Sequence, residues 1–218
     1  MDKKQGLLKL KLDLQSRKDI PLIKSANDVV FGDGDPDSEI VFIGEAAGYY
    51  ESVEHRPFVG QSGKLLIKTL NEIVGIDRKD VYITNIVKAR PPDNRDPFPE
   101  EIEAFRSILD KEIEIIKPRI IVTLGRFSMA KFIPDVTISQ VHGQPRFFKF
   151  STINHELTNY EPIIFPMYHP AAALRGTTVM NIFKDDFVKL KSLLVQKTKI
   201  EDNKQDIDTK QHGQLDIF

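Results

Sequence analysis

The stretch "FIGEAAGYYESVEHRPFVGQSGK" (42–64) closes an apolar run on Gly44 and follows it at once with an acid, Glu45. It lacks the glycine-rich, lysine-bearing pattern of a phosphate loop. Ala46, Ala47 and Gly48 come next, small residues that let a ligand approach the backbone. Three more side chains suited to chemistry stand at intervals along the chain: Phe58 in "RPFVG", Asn85 in "YITNIVKARPP" and His169 in "YHPAAALR". A phenyl ring offers a stacking platform, an amide both donor and acceptor, and an imidazole a hydrogen bond or proton near neutral pH. Taken singly, each also has an ordinary role: a loop acid, a core phenylalanine, an asparagine bonded to a neighbouring loop, a structural histidine. His169 precedes a proline, which sets it in an extended or turn conformation.

The elements that would hold these residues are legible as alternating patterns. "EIVFIG" (39–44), "VYITNIV" (81–87), "RIIVTLG" (119–125) and "PIIFPMY" (162–168) read as strands. Helical spacing recurs over Lys64–Val74, over Glu100–Ile116 and over 181–194. The irregular segment around 141–162 reads as a hairpin with an aromatic face. This alternation predicts an α/β fold, a three-layer α/β/α arrangement around a mostly parallel four-stranded sheet. Ligands of such sheets bind beyond the carboxyl ends of the strands, where Gly44, Asn85, Gly125 and His169 would lie.

Composition narrows the classes. The chain has 218 residues, 40% hydrophobic and 29% charged, which suits one folded domain with a tail. It has no cysteine, so disulfides, thiolate nucleophiles and cysteine-ligated clusters are excluded. The formal net charge of −1 gives no overall basic field, so any DNA contact must come from a local patch. No apolar run approaches a membrane span and the N-terminus lacks a signal-peptide core, so a cytoplasmic location is expected.

Taken together, the order and spacing of GEAAG, RPFVGQSGKLL, KARPPDNRDPFPEE and YHPAAALR resemble the uracil-DNA glycosylase superfamily, family 4 in particular, over about Val29–Leu194. The resemblance implies a monofunctional hydrolase that flips uracil out of DNA and cleaves its N-glycosidic bond, leaving an abasic site for base excision repair. It implies that Gly44 and Ala46 lie beside the base, that Phe58 stacks on it, and that Asn85 reads its Watson–Crick edge. An amide that donates to O4 and accepts from N3–H mismatches cytosine, which gives discrimination of roughly 10⁴–10⁵-fold. Glu51 takes the place that excludes the thymine methyl group, with Tyr49 and Tyr50 as other bulky candidates. His169 donates to the uracil O2 as negative charge develops there. Glu45 positions or activates the water and favours the cationic sugar. Leu174 and Arg175 supply the wedge and phosphate contact in DNA.

The chain departs from that family in two respects. Family 4 members hold an iron–sulfur cluster with four cysteines, and those places fall here at Arg17, Ile20, Ala89 and Phe105. No cofactor or metal is therefore expected, and Ile20, Ala89 and Phe105 are expected to pack as an apolar plug. Ala47 stands where the family has proline, which keeps open a uracil- or damage-binding module with little turnover. A glycosylase with shifted base preference, for hypoxanthine or mismatched thymine, is the other alternative.

The carboxyl end reads separately. Residues 1–196 form the glycosylase-like domain, and 197–213 are polar and aperiodic, as in a flexible linker. The final "QLDIF", Gln214, Leu215, Asp216, Ile217 and Phe218, is similar to the short motif by which bacterial proteins bind the sliding clamp. The eukaryotic and archaeal clamp box fits His212, Leu215 and Phe218 less well. The expected partners are thus uracil-containing DNA and a sliding clamp, with the protein a monomer.

Overall fold

The computed structural model describes residues 2–149 and 160–212. Its sheet has six strands: β1 (Asp33–Gly34), β2 (Ile40–Gly44), β3 (Tyr82–Asn85), β4 (Ile120–Leu124), β5 (Arg146–Phe147) and β6 (Ile163–Met167), in the order β1-β3-β2-β4-β6-β5. The four central strands are parallel, as expected from the sequence. The two-residue strands β1 and β5 add an antiparallel rung at each edge. Every residue of β2, β3 and β4 is buried, which is why β2 and β4 read as short, nearly continuous apolar runs.

Among the described residues eight α-helices accompany the sheet: α1 (Lys3–Ser16), α2 (Tyr49–Glu54), α3 (Gln61–Thr69, continuing as one π turn to Val74), α4 (Pro99–Ile116), α5 (Arg126–Ala130), α6 (Ile138–Val141), α7 (Pro170–Ala173) and α8 (Thr177–His212). Alternate residues of each strand face opposite layers, following the period of two in an extended chain. Val41, Ile43, Ile121 and Ile164 join one apolar cluster with Leu7, Leu10 and Leu14 of α1 and Phe105, Ile108 and Leu109 of α4. Ile40, Phe42, Val122 and Phe165 join the other, with Leu66 of α3 and Phe183, Phe187 and Leu190 of α8. The result is three layers, α/β/α.

The sheet thus has six strands and is mixed, where four mostly parallel strands were expected, because two short edge pairings extend it, and two further findings differ from the sequence reading. Helix α1, with Asp2 accepting from the Lys4 N–H at its start, was not anticipated. Helix α8 continues over 197–212, where an unstructured linker was expected. That stretch is rich in Lys, Gln, Asp and Glu and meets no Gly or Pro before Gly213, so local propensity does not end the helix. The 141–162 segment follows α6 and supplies β5 and its antiparallel rung to β6, while residues 150–159 and the 214–218 motif lie outside the described residues. Among the described residues no helix is long and apolar enough to cross a membrane.

Candidate active site

The parallel strands deliver their carboxyl ends to one edge of the sheet. Gly44 and Asn85 are register partners at the ends of β2 and β3, and His169 lies two residues beyond β6 as the N-cap of α7. Gly44 leaves no room for a side chain: a methyl group there would stand 2.6 Å from the Phe58 ring and closer still to Asn85 Oδ1. Residues far apart in sequence therefore meet over one glycine. Asn85 is 2% exposed, and its Oδ1 is buried with no hydrogen-bond donor among the described residues. A buried acceptor left unpaired costs roughly 1–3 kcal/mol, a cost that a donor from a ligand or a water removes.

Phe58 is held from several sides in a left-handed conformation, φ 55°, a strain of roughly 1–3 kcal/mol for a non-glycine residue. Glu51 of α2 accepts from the Val59 and Gly60 N–H groups at 3.0 and 2.8 Å, and Arg78 donates to the Pro57 and Phe58 carbonyls at 2.6 and 3.1 Å. Gly63, in the first turn of α3, abuts the Phe58 backbone, and a methyl there would sit 2.6 Å from its Cα. The Phe58 ring lies 5.8 Å from the His169 imidazole, tilted 36°.

His169 Nδ1 accepts from the Ala171 N–H at 3.1 Å, which leaves the proton of the neutral ring on Nε2 as a donor. Burial first, and then Arg175, push its pKa down to about 4, against the pull of Glu51. It is neutral at physiological pH. Glu45, partly buried, is driven the other way. Burial and the neighbouring Asp96 push its carboxyl up to about 7, with Arg126 opposing. A buried amide edge, an aromatic face, a neutral imidazole donor and a poised carboxylate suit a flat, polar-edged ring that gains negative charge as it departs.

Comparison with known proteins gives the same answer from another direction. The profile of the uracil DNA glycosylase superfamily matches residues 31–191. The chain belongs to that superfamily. It is 42% identical to a type-4 uracil-DNA glycosylase of Sulfurisphaera tokodaii over 87% of this chain and 86% of that protein. It is 44% identical to one of Saccharolobus solfataricus, over 84% and 83% respectively. A third, from Archaeoglobus fulgidus, is 39% identical over 85% of this chain and 92% of that protein.

Within this glycosylase frame, Ala46 is partly buried next to Glu45, against the α1–α4 cluster. Tyr49 and Tyr50 are 55% and 59% exposed, so neither ring is buried in a pocket wall. The carboxylate of Glu51 is committed to the Phe58 loop. Leu174 and Arg175 stand exposed directly after α7. Sequence reasoning missed Arg78, Asp96 and Arg126. Arg78 and Arg56 share Asp33, which ties the Phe58 loop to β1, and Arg126 pairs with Asp96 beside Glu45. The only sequence signal for them was charge.

The cluster positions do not fit an iron–sulfur group. Ile20, Ala89 and Phe105 are buried in one apolar cluster, and Arg17 stands apart in a salt bridge with Asp19 at 2.5 Å. None can act as a thiolate ligand. Among the described residues no group of three or more His, Cys, Asp or Glu could hold a metal.

Proposed function

We propose that this chain releases uracil from DNA by hydrolysing its N-glycosidic bond, with Asn85 reading the base, Phe58 stacking on it, and His169 and Glu45 serving the chemistry. The observation that carries this reading is the unpaired, buried Asn85 Oδ1 beside Phe58. Uracil offers N3–H to that oxygen, whereas cytosine offers only a lone pair there and leaves two acceptors opposed. Gly44 and Ala46 line the base, and Glu51 stands against the thymine methyl group. As the bond breaks, electrons move onto the uracil ring and the sugar becomes cationic. Nε2–H of His169 donates to O2, and ionised Glu45 orients water toward the sugar carbon and takes its proton. The products are free uracil and an abasic site, with the strand intact. Leu174 and Arg175 hold the opened duplex.

The protein works without an iron–sulfur cluster, its place being filled by Ile20, Ala89 and Phe105. Elemental analysis should find no stoichiometric iron, whereas about four atoms per chain, the content of one [4Fe–4S] cluster, would refute this. The chain acts as a monomer in the cytoplasm. Gln214, Leu215, Asp216, Ile217 and Phe218 bind a bacterial-type sliding clamp, with 197–213 as the tether.

The test is identification of the released base from DNA carrying uracil, thymine, cytosine or hypoxanthine. Uracil alone should appear, and the strand should break only after alkali. Release of hypoxanthine or thymine would assign a different base range. Tight binding of uracil-DNA with no release would make the protein a damage-binding module.

A further inference from the structure

Three residues past Asn85, Lys88 has a side chain that is 0% exposed. An ammonium group has three donors, and three acceptors meet it: Thr84 Oγ1 at 2.6 Å, the main-chain carbonyl of Asn85 at 2.7 Å, and Glu112 Oε2 of α4. Glu112 is buried too, and accepts from the Tyr82 hydroxyl at 3.0 Å and the Thr84 hydroxyl at 3.1 Å. A closed polar network therefore lies beneath the end of β3, and Ile86, Val87 and Ala89, the neighbours of Lys88 in sequence, belong to the apolar core.

Stability gives no reason for such a pair. Each buried charge carries a desolvation penalty of several kcal/mol, and apolar side chains of like volume in its place are often as stable or more so. Position does give a reason. Strand β1 pairs only with Tyr82 and Ile83, so on that edge Asn85 has no strand beside it. Among the described residues no donor aims its Oδ1. The direction of the amide is thus set by the Asn85 backbone and by the packing of Gly44 and Phe58 around it.

We propose that Lys88, neutralised by Glu112, is a positioning residue for base recognition: by gripping the Asn85 carbonyl it fixes where the Asn85 amide points. This deepens the reading of Asn85 given above and rests on it. Lys88 touches no base and takes no part in bond cleavage.

The experiment uses the full chain and the double variant Lys88→Met/Glu112→Gln. It removes both charges, keeps the volumes, and leaves the Gln carbonyl to accept from Tyr82 and Thr84. Three quantities are compared with wild type: the melting temperature, affinity for DNA carrying an abasic-site analogue, and inhibition by free uracil. We expect the first two to stay close to wild type. Free uracil should inhibit at least tenfold more weakly, and single-turnover release should slow by at least tenfold. Unchanged uracil inhibition in the folded double variant would overturn the proposal and leave Lys88 a core residue. If that variant does not fold, Lys88→Leu/Glu112→Gln, which also removes both charges together, must show the same split, and equal uracil inhibition there would overturn it as well. An Asn85→Ala control separates the two readings. If Asn85→Ala leaves uracil inhibition intact, the role of Asn85 falls, and that of Lys88 with it.

Discussion

At pH 7 Glu45 stands about half ionised, because burial and Asp96 raise its carboxyl to about 7. Orienting water and opposing a cationic sugar both require the carboxylate. The single-turnover rate should therefore fall about tenfold per pH unit below 7 and level off above it. Glu45→Gln should be slow and flat with pH. Asp96→Asn removes a neighbouring negative charge, lowers the Glu45 pKa and should shift the limb toward lower pH. His169, with its pKa near 4, adds no limb between pH 5 and 8. The same residue bears on stability. A carboxyl whose pKa is raised by folding favours the native state at low pH, and that contribution is lost as pH rises through about 7. Glu45→Gln should thus raise the melting temperature at pH 8, by ~2–4 °C, the shift roughly 1 kcal/mol gives in a chain of this size, and do little at pH 5. Glu45, Phe58, Asn85 and His169 were legible in sequence because motif order ties them together. Arg78, Lys88 and Glu112 were not: Arg78 meets the Phe58 carbonyl across 20 residues, and Lys88 is buried against Glu112 across 24, contacts that only the fold creates.

Among the elements, the central strands could be read because both their faces are buried, and a five-residue apolar run between turn signals is too short for a core helix. Helix α1 was overlooked although Leu7, Leu10 and Leu14 recur at helical spacing, because its purpose is to cover α4, and strand–helix alternation says nothing of an element that precedes the first strand. In the proposed reading, recognition depends most on the Phe58 loop. Its left-handed residue persists because Glu51, Arg78 and the first turn of α3 each restrain it. Arg78→Ala should leave the fold intact and slow uracil release by about tenfold, up to roughly 10²-fold if Phe58 moves by an ångström. Gly63→Ala should both destabilise the chain and displace Phe58, since a methyl there meets the Phe58 carbonyl. Urea unfolding monitored beside single-turnover kinetics separates the two effects; a Gly63→Ala protein with wild-type stability and rate would contradict the packing.

For the molecule as a whole, a net charge of −1 means that attraction to DNA is not built into the overall field. Tethering to a clamp would supply the missing local concentration. As a continuous helix, 197–212 would reach ~24 Å, and as a flexible coil the tether would span roughly 20–25 Å. Either form keeps the domain near its anchor. Deleting 214–218 should abolish clamp pull-down without changing activity on short oligonucleotides, and retention of clamp binding would remove the motif from the account. The central claim is chemical and has a direct test: single-turnover release of uracil from a 5′-labelled oligonucleotide at pH 8, wild type beside His169→Ala, read as alkali-labile cleavage. The account predicts prompt release by the wild type and a loss of roughly 10²–10³-fold in the variant, the usual effect of removing one preorganised donor. Equal rates in the two proteins, or uracil-DNA bound and left uncut by the wild type, would contradict it.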